Sequence, residues 1–203
     1  MDILIPTGDA GARAQLDAIV QEYRHRGDVP RLLEEVTRLA RVAPIDELVA
    51  AAEFYQDLHE VAGPIFEVVV SRHPDHVRAL VGLANAFWLT GRGPDVVGDL
   101  ASRIIALDPA NRAGWHMWAL TEGTPRGRVQ RWQQVVDRFP DDPLAKVNLA
   151  DNAAGLAGAE DDPVALKTAI TTYESLLKAT TNTAQRVALQ QAIDALRPSG
   201  KKS

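Results

Sequence analysis

Two histidines and a carboxylate, His73, Asp75 and His76, lie within four residues of one another and raise the question of a metal site. Pro74 forces a turn between the imidazoles, and no third histidine or other ligand beyond this cluster is near in sequence. A zinc site needs at least three ligands, held in geometry by a further layer of hydrogen bonds. These side chains read instead as solvated groups at a helix end. Asp141–Asp142 and Asp161–Asp162 are adjacent carboxylates, but each pair precedes a proline, Pro143 or Pro163. A capping acid followed by proline at the first helical position is a helix start, not an acid–base pair. No nucleophile elbow, phosphate-binding glycine loop or dinucleotide fingerprint is present. The sequence therefore predicts no catalytic residue, no metal and no cofactor. What stands out is aromatic: Trp88, Trp115, Trp118 and Trp132 fall within 45 residues, with His116 and Met117 between two of them. Trp and Met become binding hot spots when they face a concave surface.

Helices must position these residues. A proline, or once a threonine, closes a helix-like segment at Pro44, Pro74, Pro109, Pro140 and Thr181, at intervals of 30, 35, 31 and 41 residues. Between these marks lie two apolar-periodic stretches separated by a short break. Repeated helix pairs of this length cannot bury their apolar faces alone, so they stack as an α-solenoid. A non-repetitive helical bundle with coincidental proline spacing is the alternative. In the first interval Leu16, Ile19, Val20 and Tyr23 form one stripe, Gly27–Asp28 the break, and Leu32, Val36, Leu39 and Ala40 the second stripe. Gly27 suits a left-handed C-terminal cap, and Asp28 with Pro30 suits the next helix start.

The order of Ile19, Val20, Tyr23, Gly27, Leu32, Val36, Leu39 and Pro44 resembles the tetratricopeptide repeat, a helix–turn–helix unit of about 34 residues. Later intervals match in part: Leu80, Leu83, Ala84, Phe87 and Gly91 in the third, Trp115, Trp118, Ala119 and Trp132 in the fourth, and Asn148, Leu149, Ala150 and Tyr173 in the fifth. The second is the poorest, with Glu53 where an apolar residue is expected. The resemblance implies an all-α, right-handed α-solenoid of about five such helix pairs over residues 10–182, at 10–44, 45–74, 75–109, 110–140 and 141–182. Gly155 to Asp162 is an insertion that lengthens the fifth. An amphipathic helix at 183–198 reads as a cap over the exposed core edge. Residues 1–9 form an N-terminal extension, and 199–203 a Gly/Ser/Lys-rich flexible tail.

In that family the first helix of each pair lines a concave groove. Carried over by position, this places Arg78, Val81, Asn85 and Trp88 in the groove, then His116, Met117 and Leu120, then Asn148 and Asp151. An exposed amide both donates and accepts, so Asn85 and Asn148 could hold a peptide backbone; the alternative is a bond to a neighbouring helix or to water. The resemblance places Trp115, Trp118 and Trp132 in the core, whereas Trp88 with Val81, Met117 and Leu120 would form an apolar anchor. The family's carboxylate clamp needs basic groups where this chain has Val81, Met117 and Asn148, so a chaperone C-terminal tail is not the expected ligand.

Composition agrees with a binding role. The apolar fraction of 46% supports a continuous core, but aromatics at 5% leave most packing to Ala, Leu and Val. A net charge of −5 without clustered Lys or Arg argues against nucleic acid, which needs cations to displace counterions. No stretch approaches the roughly 18 apolar residues of a membrane span. Absent cysteine and an uncharged, short apolar start at Ile3–Leu4–Ile5 give a cytoplasmic expectation. The expected function is a non-catalytic interaction module (scaffold, adaptor or assembly factor) that receives a peptide or helix of another protein. The alternatives are a permanent architectural subunit using its convex face and ends, and a helical enzyme whose site the sequence does not reveal. The Ile3–Leu4–Ile5 segment is expected to pack on the first helix pair or on a second copy, the latter giving a homo-oligomer. Deleting residues 1–7 then lowers the melting temperature or shifts the sedimentation coefficient; no change in either would mean that the segment makes neither contact.

Overall fold

The structure, a computed structural model, describes residues 11–197; the Ile3–Leu4–Ile5 segment and the 199–203 tail lie outside the described residues. Among the described residues it contains eleven helices and no strand. They are α1 (Ala12–Arg26), α2 (Val29–Val42), α3 (Ile45–Phe54), α4 (His59–Arg72), α5 (Val77–Leu89) and α6 (Pro94–Leu107). There follow α7 (Arg112–Leu120), α8 (Pro125–Arg138), α9 (Pro143–Glu160), α10 (Pro163–Ala179) and α11 (Thr183–Leu196). Pro44 caps α3, and Pro74, Pro109, Pro140 and Thr181 lie in the connections that follow α4, α6, α8 and α10. None of the described helices is long and apolar enough to cross a membrane.

The helix ends follow from local chemistry. Gly27 closes α1 at φ 69°, a conformation that costs glycine nothing, and its N–H donates to the Tyr23 carbonyl at 2.7 Å. Asp28, Asp142 and Asp162 each accept from backbone N–H groups at the starts of α2, α9 and α10. Gly11 has no side chain to cap α1, and Glu47 of α3 does so instead, accepting from the Ala12 N–H at 3.0 Å.

Arginine closes several further ends. Arg72 of α4 donates to the Ala40 carbonyl in the last turn of α2, and Arg103 of α6 to the Pro74 carbonyl beyond α4. Arg131 of α8 donates to the Trp118 carbonyl in α7, and Arg186 of α11 to the Leu177 and Thr180 carbonyls at the end of α10. The Arg72, Arg131 and Arg186 guanidinium groups satisfy carbonyls that a helix terminus leaves without partners, and Arg103 ties down the connection after α4.

The chain divides into two compact units, residues 1–117 and 118–203. In the first, α1 packs on α2 and on α3, α2 on α4, α3 on α4, and α5 on both α4 and α6. The hairpin pairs α1–α2, α3–α4 and α5–α6 thus stack with counterpart contacts between α1 and α3, α2 and α4, and α3 and α5, the connectivity of an α-solenoid. Leu16, Val20, Val36, Leu48, Ile65, Phe66, Leu80 and Ile104 fill one continuous core. In the second unit α9 packs against α8 and α10, and α10 against α11. Trp132 is fully buried, and Ala150, Ala153, Ala169, Tyr173, Leu176 and Ile193 form a second core.

One feature differs from what the sequence suggests. Trp115 and Trp118 are half-buried, not core, because their polar and π surfaces have partners at the edge. The Trp115 indole N–H donates to the Pro109 carbonyl at 3.0 Å, and the Arg131 guanidinium lies 4.6 Å from the Trp118 ring centre. The insertion after Gly155 is largely helix: α9 runs unbroken to Glu160, then stops where Asp161 adopts a left-handed φ of 51° before the Asp162–Pro163 start. The cap helix α11 is mostly exposed, with Ile193 its one fully buried side chain among the described residues. The burial of Trp132 yields a test. Trp132→Ala should cost about 3–5 kcal/mol, the range for emptying a large core site, read as a fall in melting temperature with the helical circular-dichroism signal retained below it.

Candidate functional site

One face of α5 presents Arg78, Val81, Gly82 and Asn85, at the three- and four-residue spacing that puts side chains on the same side of a helix. With Glu53 near the end of α3, Gln56 in the turn after it, Phe66 from α4 and Ala113 and Met117 from α7, they line a hollow of about 440 Å³ in the first unit. Its floor is apolar. Phe66 is buried, its ring lying directly over the Gly82 backbone, and Val81 and Met117 pack on the core from the hollow's side.

The polar groups of the hollow divide into engaged and free. Arg78 and Glu53 form a two-pronged ion pair, Nε to Oε1 at 3.0 Å and Nη2 to Oε2 at 2.6 Å. The Glu53 carboxylate is the main cause of a raised Arg78 pKa, with Asp46 adding a smaller push in the same direction. The side-chain amides of Asn85 and Gln56 make no hydrogen bond to the described residues, and Asn85 is half-buried. Each amide therefore presents a donor and an acceptor to whatever enters.

The remaining expected groove residues fall elsewhere. Trp88, 38% exposed, lies one turn beyond Asn85 but outside the lining, and half-buried His116 also lies outside it. Leu120, Asn148 and Asp151 belong to the second unit. There Asn148 donates to the Leu144 carbonyl of its own helix at 2.9 Å, and Asp151 accepts from the Tyr173 hydroxyl at 2.6 Å. Burial first, and that bond second, raise the Tyr173 pKa. Residues of α9, α10 and α11, including Lys146, Val147, Leu176 and Leu189, line a separate hollow of about 610 Å³ in this unit. His76 is a helix cap: its Nδ1 accepts from the Ala79 N–H at 3.2 Å. No group of three or more His, Cys, Asp or Glu among the described residues is placed to hold a metal.

No protein-family model matches the sequence, and no curated protein matches it significantly. Solved structures do match. A MamA fragment from Desulfovibrio magneticus RS-1 aligns with a TM-score of 0.60 at 16% identity, over 87% of this chain and 100% of that one. TTC0263, a thermophilic tetratricopeptide repeat protein of Thermus thermophilus, aligns at 0.57 and 17% identity, over 88% and 96%. YrrB, a tetratricopeptide repeat protein with an unusual peptide-binding site, aligns at 0.56 and 12% identity, over 89% and 90%. The fold is tetratricopeptide-like. In the tetratricopeptide-like arrangement α3, α5 and α7 are first helices of successive pairs, which is why their side chains meet at the hollow.

The structure also accounts for the poor second repeat. Leu48, Val49, Ala51, Ala52 and Tyr55 supply its buried face, so Glu53 is free to turn toward Arg78. Glu53, Gln56 and Phe66 are site residues that the sequence pattern does not predict. A charge at an apolar position, with an opposite charge at the start of the next first helix, is the available signal for Glu53. The close approach of Phe66 makes Gly82 testable. On helix propensity alone Gly82→Ala should stabilise α5 by nearly 1 kcal/mol. With the Phe66 ring in the way, overpacking at about 1–3 kcal/mol should win and the melting temperature should fall.

Proposed function

We propose that this protein is a non-catalytic protein–protein interaction module, a scaffold, adaptor or assembly factor, whose first-unit hollow receives a peptide segment or helix of a partner. The observation that carries this reading is the pairing of two unpartnered amides, Asn85 and Gln56, with an apolar floor of Phe66, Val81 and Met117. Free amides beside an apolar recess suit a peptide, whose backbone alternates donor and acceptor while its side chains seek burial. Trp88, exposed one turn further along α5, is assigned to the rim. The peptide-binding site of the similarly folded YrrB is in keeping with this reading.

The alternative, a permanent subunit of a larger assembly gripped by its outer faces, draws on exposed apolar residues remote from the hollow, such as Val42 and Val164, both 73% exposed. Affinity capture with mass spectrometry separates the two. Asn85→Ala should leave the stability within about 0.5 kcal/mol of wild type, as unpartnered sites do, and Trp88→Ala should leave the fold cooperative. Trp88→Ala should weaken partner recovery by about thirtyfold if it acts as an anchor worth 2 kcal/mol. Partner recovery unchanged in both variants, but lost on Val42→Asp, would favour the architectural subunit.

A further inference from the structure

We propose that the first-unit hollow selects a peptide segment that presents an uncharged apolar side chain and discriminates against acidic segments. The inference rests on the peptide-binding reading and specifies its ligand. Arg78 is the only cationic residue lining the hollow among the described residues. Its Nε and one terminal nitrogen are both held by Glu53, and Asp46 adds a second negative field. A ligand carboxylate approaching Arg78 would meet a charge already neutralised. It would have to displace Glu53 or lie beside it, and like charges in proximity are repulsive. Two-pronged guanidinium–carboxylate geometry is stronger and more specific than a single charge-assisted contact.

The groups left for recognition are neutral. Asn85 and Gln56 can each pair with a peptide bond, while Val81, Met117 and the Phe66 ring offer an apolar recess. Met117 is unbranched and polarisable, so the recess can accommodate Leu, Ile, Met or Phe without a unique shape. Glu53 therefore acts as a specificity residue: by occupying Arg78 it turns a cationic hollow into a neutral one.

Panning a random dodecapeptide phage library against the full chain tests this, with Glu53→Gln in parallel and Asn85→Trp as a variant whose ring blocks the hollow. Wild type should enrich peptides rich in Leu, Ile, Met or Phe, with Asp and Glu depleted, and the enrichment should vanish in Asn85→Trp. Glu53→Gln leaves the guanidinium charge uncompensated and should raise affinity for a matched acidic peptide about fivefold, the upper range for one exposed ion pair. A wild-type pool that is acidic yet blocked by Asn85→Trp overturns the selectivity and keeps peptide binding. A pool that is apolar in both wild type and Glu53→Gln, with no gain for the acidic peptide, also overturns it, because Glu53 then sets nothing. Absence of any pool sensitive to Asn85→Trp overturns the peptide-binding reading, and this inference with it.

Discussion

Burial by neighbours is the constraint on which the first unit depends. Its helices have small and aliphatic faces on more than one side: α1 is covered by α2 and by α3, and α4 by α2, α3 and α5. With few aromatic side chains to span a gap, the helices must come close, and alanine lets them. Ala40, Ala52, Ala62, Ala79, Ala84 and Ala101 are all inaccessible or nearly so. The closest approaches use glycine, Gly82 beneath Phe66 and Gly114 against Ile104, where a methyl group would collide with a neighbouring side chain. The hollow is a by-product of the same packing. Where Gly82 leaves room for the tip of the Phe66 ring, that ring packs closely against α5 at the base of the hollow.

The fold was legible because its punctuation is local. Gly27, Asp28, Asp142–Pro143 and Asp162–Pro163 specify helix ends by side-chain and backbone geometry that needs no tertiary information, and the stripes between them specify which face is buried. The departures arise where tertiary contacts decide. Trp115 and Trp118 occupy positions that the repeat pattern makes apolar, yet an indole N–H and an approaching guanidinium hold them at the edge.

The site was legible in part, for a related reason. Residues on one face of α5, Arg78, Val81 and Asn85, could be placed together by helical spacing, and Met117 by its place in the next first helix. Whether a side chain is free could not be read from spacing. Asn148 resembles Asn85 in sequence position, but its amide turns back onto the Leu144 carbonyl, while that of Asn85 stays open. Trp88 shares a helix with the lining without sharing its direction. Glu53 stands out in the sequence only as a misfit, because its meaning depends on Arg78, 25 residues away.

The arginine bonds to helix-end carbonyls have a chemical consequence. Of the 22 basic residues, lysine supplies only Lys146, Lys167, Lys178, Lys201 and Lys202. The braces at Arg72, Arg103, Arg131 and Arg186 are all guanidinium groups. Guanidinium keeps its proton at any physiological pH, and it is not a target for acetyl transfer or ubiquitin attachment, which act on lysine amines. These helix-end closures are thus insulated from the modifications by which cells most often edit positive charge. Enzymes that act on arginine itself would reach them where lysine-directed enzymes would not.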